Sequence, residues 1–131
     1  MSINRGVSVV IATYNMGHLI LETIDSCIQQ RGVDLEIIVY DDCSTDGTEK
    51  IGLDKHPMIK YIRGEENLGV GSAFNEAVRH ATKQYILLMC ADDLFTNENV
   101  LADMCYAMES HFSIGHVSRW YHQFVGNDPP R

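Results

Sequence analysis

The sequence predicts a doubly wound α/β fold, in which a mostly parallel sheet carries helices on both faces. Apolar runs of strand length alternate along the chain with stretches of helical period, in the order β-α-β-α-β-α-β-α-β. The run at residues 86–89 is apolar at every position, which is typical of a strand covered on both faces. Polar residues follow directly after three of the predicted strands, where open α/β sheets bind their ligands.

The composition indicates one soluble domain with an acidic surface. The chain has 131 residues, of which 45% are hydrophobic, so it can form a substantial core. The formal net charge is -8, which argues against nucleic acid as a partner because such a surface needs clustered Lys and Arg. An anionic small ligand is still compatible with this charge, since a divalent cation can invert the local field.

The four cysteines predict free thiols rather than a zinc site. None of them forms a C-x-x-C pair or has a suitably spaced histidine. Reduced thiols are typical of the cytoplasm. The amino-terminal residues lack the apolar core of a signal peptide, and no apolar run is long enough to form a transmembrane segment. We therefore expect a cytoplasmic protein.

The first half of the chain predicts two buried strands and two helices. Residues 7–12 form a β-branched apolar strand, and the period of apolar residues over 18–30 predicts a helix that Gly32 ends. Residues 35–40 form the second strand. The capping residues that follow predict a short helix over 46–51, and residues 59–62 alternate as a third strand.

The second half continues the alternation. A loop at residues 65–72 contains two glycines that let the backbone approach a ligand closely, and it leads into a predicted helix over 72–82. After the strand at 86–89, Thr96 or Asn97 caps a helix that extends to Ser110. Residues 114–125 predict a last β segment, and residues 127–131 form a tail.

Two pairs of adjacent acids, Asp41-Asp42 and Asp92-Asp93, each follow a predicted buried strand. One such pair alone is weak evidence because surface acids are common. Two pairs are harder to dismiss, since like charges placed together need a cation or hydrogen-bond donors to offset their repulsion. Oxygen ligands without a thiol or histidine cluster favour Mg²⁺ or Mn²⁺. With the aromatic face of Tyr14 nearby, the pattern predicts a nucleoside diphosphate lying across the sheet edge.

Four segments in collinear order resemble the successive sequence blocks of family 2 glycosyltransferases with the GT-A fold. They are residues 7–15, 36–48, 67–75 and 88–93, and the resemblance extends over about residues 7–95. It implies an enzyme that transfers a sugar from a nucleotide diphosphate sugar, most simply a UDP-sugar, to an acceptor. It also implies an inverting mechanism assisted by Mn²⁺ or Mg²⁺ at a DXD-type motif.

The resemblance implies roles for nine residues. Those implied for the nucleotide sugar are Thr13, Tyr14, Asn15, Asp42, Asn67, Gly69, Asn75 and Asp92. Within this set, Asp42 would bind the base and Asp92 would lie near the ribose or phosphates. Asp93, with Asp92 beside it, would hold the metal that neutralises the leaving diphosphate.

This chain departs from the common family pattern at three positions. Ala12 stands where a proline is usual, Cys43 where a glycine is usual, and Cys90 where the acid block often begins with an aspartate. No residue matches a motif for the general base, which the family supplies from the acceptor-binding half. We therefore expect residues 1–131 to be a single donor-binding domain that is incomplete at its carboxyl terminus, with the base beyond the chain end.

Two alternatives stay open on the sequence alone. The first is a truncated or degenerate module that binds a nucleotide sugar without a catalytic base of its own. The second is a phosphotransfer or regulatory α/β domain, which predicts phosphorylation of Asp42 or Asp92. The sequence does not identify the acceptor. If the acceptor lies in a membrane, binding to it would bring this cytoplasmic enzyme to the membrane surface.

Overall fold

The computed structural model describes residues 5–110, which form a four-stranded parallel sheet with helices on both faces. The strands are β1 (Gly6–Thr13), β2 (Asp34–Asp41), β3 (Ile59–Arg63) and β4 (Tyr85–Cys90). They lie in the order β3-β2-β1-β4, and each neighbouring pair is parallel. The predicted fold class is confirmed. The β segment expected at residues 114–125 and the tail at 127–131 lie outside the described residues.

Two helices connect strands and a third follows β4, and each is shorter than the sequence predicts. They are α1 (Ile20–Ile28), α2 (Val70–Val78) and α3 (Val100–Glu109). In place of the short helix predicted over residues 46–51 there is one 3-10 turn, Thr48–Lys50, and a second 3-10 turn, Leu53–Lys55, follows it. Gly47 and Gly52 precede these turns with φ of 86° and 84°, a left-handed conformation that an α-helix excludes.

The two faces of the sheet carry separate apolar cores. On one face, α1 and α3 pack against β1 and β2 around Ile11, Ile24 and Leu101. On the other face, α2 packs against the same two strands around Val10 and Ala77. β1 is buried along its whole length because it lies between two strands and beneath helices on both faces. The candidate site lies just beyond the carboxyl end of this buried strand.

The prediction that the fourth strand is covered on both faces is wrong for the part of the chain that the structure describes. β4 ends the order of the described strands, and Ile86 and Leu88 are 47% and 55% exposed. Leu88 pairs with Val10 in register and so lies on the face of α2. The main contacts of α2 are to β1 and β2, which leaves this side of β4 open.

A close contact fixes the turn after β3. A Cβ added to Gly64 would lie 2.6 Å from Oη of Tyr40, whose ring is 6% exposed in the core beneath α2. A Cβ added to Gly71, in the first turn of α2, would have no heavy atom within 4 Å. Only the first of these two glycines is therefore required by packing.

A polar network ties together the amino-terminal edge of the sheet, opposite the strand ends of the candidate site. The Glu36 carboxylate accepts hydrogen bonds from Oγ of Ser8 and from N and Oγ1 of Thr82. Burial raises the pKa of Glu36, but these hydrogen bonds and the charge of Lys83 outweigh it, so the net shift of the pKa is downward.

Candidate functional site

The carboxyl edge of the sheet brings three strand ends together. β1 lies between β2 and β4, so Tyr14 follows the central strand while Asp42 and Asp92 follow its two neighbours. Thr13 is in register with Asp41, and Ala12 is in register with Cys90. Residues far apart in the sequence therefore meet at this edge, as the parallel order of strands requires.

The two residues at the end of β1 differ in exposure. Tyr14 is 45% exposed, so its ring presents an aromatic face at the edge of the sheet. Thr13 is 2% exposed, and its Oγ1 makes no hydrogen bond to any residue that the structure describes. The backbone oxygen of Thr13 accepts a hydrogen bond of 2.9 Å from N of Asp42, which locks β1 to the start of the next loop.

Asn15 joins the loop after β1 to the loop after β2. Its N donates to Oγ of Ser44 at 2.9 Å, and its Oδ1 accepts from N of Thr45 at 2.7 Å. Its φ of 53° is the left-handed conformation, which asparagine adopts more readily than most residues. The structure thus places Asn15 in a contact between loops that positions the neighbouring Tyr14.

Asp46 extends the same loop contact. Its Oδ2 accepts from N of Gly17 at 3.0 Å, and its Oδ1 accepts from N and Oγ1 of Thr48. The hydrogen bond from Thr48 is the main reason that the pKa of Asp46 is lowered. A Cβ on Gly17 would lie 3.0 Å from Oγ1 of Thr48, so the two loops are tightly apposed.

The adjacent acids after β2 have separate structural roles, and Asp41 is the internal one. It is 0% exposed, and it accepts hydrogen bonds from Oη of Tyr61, from Nη1 of Arg63 at 3.2 Å and from N of Ser44 at 2.9 Å. Burial, and then the hydrogen bond to Asp41, raise the pKa of Tyr61. Asp41 therefore belongs to the support of the site rather than to its surface.

Asp42 holds the glycine-containing loop before α2. It is 3% exposed, and its two carboxylate oxygens accept from N of Leu68 at 2.8 Å and N of Gly69 at 2.9 Å. Asp42 and Gly69, which the family resemblance implies for the nucleotide sugar, are thus in direct contact. Asn67 lies in this loop and Asn75 on α2, and both are exposed.

The acids after β4 form a compact, exposed turn, which we call the acid turn (Cys90–Asp93). N of Asp93 donates to O of Cys90 at 3.1 Å, and Oδ2 of Asp93 accepts from N of Cys90 at 3.0 Å. One ligand atom from each of Cys90, Asp92 and Asp93 lies within 4.8 Å of the others. Two accessible carboxylates on one turn fit a divalent cation that keeps waters and bridges to phosphates.

The thiol of Cys90 is a weaker candidate ligand than the two carboxylates. Burial, followed by the negative charges of Asp93 and Asp92, raises its pKa. A raised pKa disfavours the thiolate, which is the form that binds metals. The donor set at the acid turn is therefore an oxygen set, which suits Mg²⁺ or Mn²⁺.

The sequence of this chain also matches a known protein family over most of its length. Residues 8–131 match the family described as Glycosyl transferase family 2. The chain belongs to this family. A glycosyltransferase relative in Bacillus subtilis (strain 168), described as putative teichuronic acid biosynthesis glycosyltransferase TuaG, is 32% identical over 108 residues. That match covers 79% of this family 2 chain and 42% of the relative.

Solved structures of nucleotide-sugar complexes share the fold of this family 2 chain. The mannosyltransferase PcManGT from Pyrobaculum calidifontis, in complex with GDP-Man and Mn²⁺, matches with a TM-score of 0.74 and 31% identity, over 82% of this chain and 33% of that one. S. aureus TarS 1-349 in complex with UDP-GlcNAc matches with a TM-score of 0.73 and 31% identity, over 81% and 32%. The chain thus spans about a third of these proteins.

Within residues 5–110, no helix has the length and apolar character needed to cross a membrane.

Glu109, an acid near the end of α3, forms an ion pair of 3.2 Å with Arg5, which precedes β1. It therefore lies towards the amino-terminal edge of the sheet, away from the acid turn.

Proposed function

We propose that this chain binds a nucleotide diphosphate sugar, with a UDP-sugar as the expected donor, and provides the donor site for sugar transfer to an acceptor. The observation that carries the proposal is the meeting of Tyr14, Asp42 and the acid turn at one edge of the sheet. The solved relatives in complex with UDP-GlcNAc and GDP-Man support the same class of ligand.

Each strand end would contact a different part of the donor. The exposed ring of Tyr14 would stack on the base, because every nucleobase offers a π face to an aromatic side chain. Thr13 would line the same pocket, and Asp42 would accept a hydrogen bond from a base N–H with a lone pair that the loop leaves free. Asn67, Gly69 and Asn75 would shape the loop and helix beside the nucleotide.

The acid turn would handle the diphosphate. Asp93 would hold Mn²⁺ or Mg²⁺, and Asp92 would lie beside it, near the ribose or phosphates. When bound, the cation would stabilise the negative charge that develops on the leaving diphosphate. Asn15 would act indirectly, by keeping Tyr14 in place through its contacts with Ser44 and Thr45.

Donor binding is tested by titrating UDP-GlcNAc and GDP-mannose into the purified chain with and without Mn²⁺. We expect binding that requires Mn²⁺ and weakens by about tenfold or more in Asp93→Asn, a loss typical of damaged metal sites. Asp54→Asn removes the same charge from an exposed acid before β3 and should bind like the wild type. Equally tight binding without metal would contradict the role of Asp93, and no binding of any nucleotide sugar would contradict the proposal.

A second candidate is a donor-binding module without a catalytic base, and one observation favours it. Inverting transfer needs a general base to deprotonate the acceptor hydroxyl, and Glu109 is already paired with Arg5. Release of UDP from UDP-sugar by the purified 131-residue chain would exclude this candidate. Tight binding without turnover would favour it.

A further inference from the structure

One face of α1, together with the turn that follows it, carries three polar side chains. Thr23, Ser26 and Gln30 are spaced i, i+3 and i+7, so they lie in a row along the helix. Thr23 is 0% and Gln30 is 8% exposed. Polar groups buried at this level must be hydrogen-bonded to be tolerated, and their partners reveal what the row does. We call these residues the polar row.

Every member of the polar row contacts the segment that carries the acid turn. Oγ1 of Thr23 donates to the backbone O of Ala91 at 2.7 Å, and Ala91 lies directly between Cys90 and Asp92. This hydrogen bond is buried and connects residues 68 positions apart. It therefore fixes the peptide group from which the two candidate metal ligands extend.

The other two members hold the rest of the same segment. Oγ of Ser26 accepts from N of Phe95 at 3.3 Å. Nε2 of Gln30 donates to O of Asn97 at 2.6 Å, and its Oε1 accepts from N of Leu101 at 3.0 Å. Gln30 thus also supplies an acceptor for a free N–H in the first turn of α3, which has no side-chain cap of its own.

Outside the polar row, the residues that the structure describes hold this segment at Glu98, whose O accepts from N of Arg31 at 2.8 Å and whose carboxylate pairs with the Arg31 side chain. Residues 92–94 and 96–99 are exposed, whereas Ala91 and Phe95 are turned inward. An exposed loop of this kind samples many positions unless its backbone is tied down. Metal ligands work only when they are held close to the required geometry, usually by neighbouring hydrogen bonds.

We propose that Thr23, Ser26 and Gln30 are positioning residues that hold the acid turn in the geometry needed to bind the cation and the donor diphosphate. This inference rests on the function proposed above. Thr23 has the largest effect because its hydrogen bond reaches the turn itself, whereas those of Ser26 and Gln30 reach four or more residues beyond Ala91. The row acts through the acid turn and does not touch the donor.

The test compares Thr23→Val, which removes the O–H but keeps the shape, with Thr23→Ser, which keeps the O–H. Two quantities are measured: amide hydrogen exchange over residues 91–99, and the Mn²⁺ concentration that gives half-maximal UDP-sugar binding. In Thr23→Val we expect faster exchange in this segment only and a rise of about tenfold in the Mn²⁺ concentration. Thr23→Ser should restore both quantities towards the wild type.

Control variants separate positioning from a loss of stability. Glu36→Gln disturbs the opposite edge of the sheet, so it should lower stability without changing the Mn²⁺ requirement. Ser26→Ala, at a half-buried position, gives the same comparison with milder disruption should Thr23→Val fail to fold.

Two results overturn the inference, and they differ from each other. If Thr23→Val and Ser26→Ala bind the donor with the wild-type Mn²⁺ requirement, the row has only a structural role and the proposed function is unaffected. If the wild-type chain binds no nucleotide sugar at any Mn²⁺ concentration, the proposed function fails and this inference fails with it.

Discussion

Replacement of Asp41 by asparagine should be the most damaging single-atom change at the carboxyl edge. Asp41 is fully buried, and one of its oxygens accepts from both Oη of Tyr61 and Nη1 of Arg63, while the other accepts from N of Ser44. Asparagine can retain the bond from Ser44. Its NH₂ group would then face two donors, so Tyr61 and Arg63 would lose their acceptor.

The size of the effect follows from the burial of the group. Removing one member of a buried ion pair costs about 3–5 kcal/mol. The Arg63 side chain is 36% exposed and keeps its ion pair of 3.5 Å with Glu49, so we expect the lower end, about 3 kcal/mol. For a domain of this size that loss lowers Tm by about 12 °C. Tyr61→Phe leaves the other two donors in place and should cost about 1.5 kcal/mol.

Urea unfolding of the wild type, both single variants and the double variant measures these quantities and their coupling. Since Tyr61 loses its partner in Asp41→Asn, the double variant should be less destabilised than the sum of the single effects, by about 1 kcal/mol. A loss below about 1 kcal/mol in Asp41→Asn, or effects that add within about 0.5 kcal/mol, would refute the buried network as described.

Three other predictions test the frame around the site. Because the folded-state pKa of Glu36 is depressed, its stabilisation is complete above the unfolded pKa of about 4.3 and is lost as the pH falls through the folded value. Glu36→Gln should therefore unfold about 1 kcal/mol more easily at pH 7, with a difference from the wild type that vanishes in acid, as followed by denaturation across pH. Gly64→Ala should lose about 1–3 kcal/mol in the same assay, whereas Gly71→Ala should be neutral or stabilising. Burial raises the pKa of the Cys27 thiol to about 12, so mass spectrometry should find iodoacetamide on the exposed Cys90 well before Cys27.

A specific result would contradict each of these three predictions. A pH-independent difference for the glutamine variant would mean that the Glu36 charge does not stabilise the fold. Equal losses in the two glycine variants would contradict the close packing of Tyr40 on Gly64, and modification of Cys27 at the rate of Cys90 would contradict its burial.

The sequence was enough to predict the four strands that the structure describes, their parallel direction and the edge where the candidate site lies. Apolar runs with period two or with no alternation mark strands regardless of their partners, although the run at 86–89 is open on one face. The end of each run then locates Tyr14, Asp42 and Asp92, since chain direction alone decides which edge they occupy. What the sequence could not reveal is which side chains at that edge are turned inward, because this depends on partners distant in the chain.

Asp41 and Asp42 illustrate that limit. They are adjacent and chemically identical, yet one accepts from Tyr61 and Arg63 within the sheet and the other from the loop before α2. The polar row is a second case. The helical period of α1 predicted its apolar face, but nothing local to the helix indicates that Thr23 reaches the acid turn 68 residues later.

The backbone conformation of Cys43 explains why glycine is usual at this position in the family. Glycine is usual at this position, and here Cys43 has a φ of 63°, a conformation that glycine adopts freely and other L-residues adopt at a cost of about 1–2 kcal/mol. Asn15, with a φ of 53°, is the other non-glycine residue with positive φ in the described part of the chain. Both lie at the candidate edge, in loops joined by hydrogen bonds to Ser44 and Thr45. Backbone strain persists only where its surroundings over-determine it. The edge that would bind the donor is therefore held in its shape by contacts between loops, which outweigh the conformational preference of Cys43.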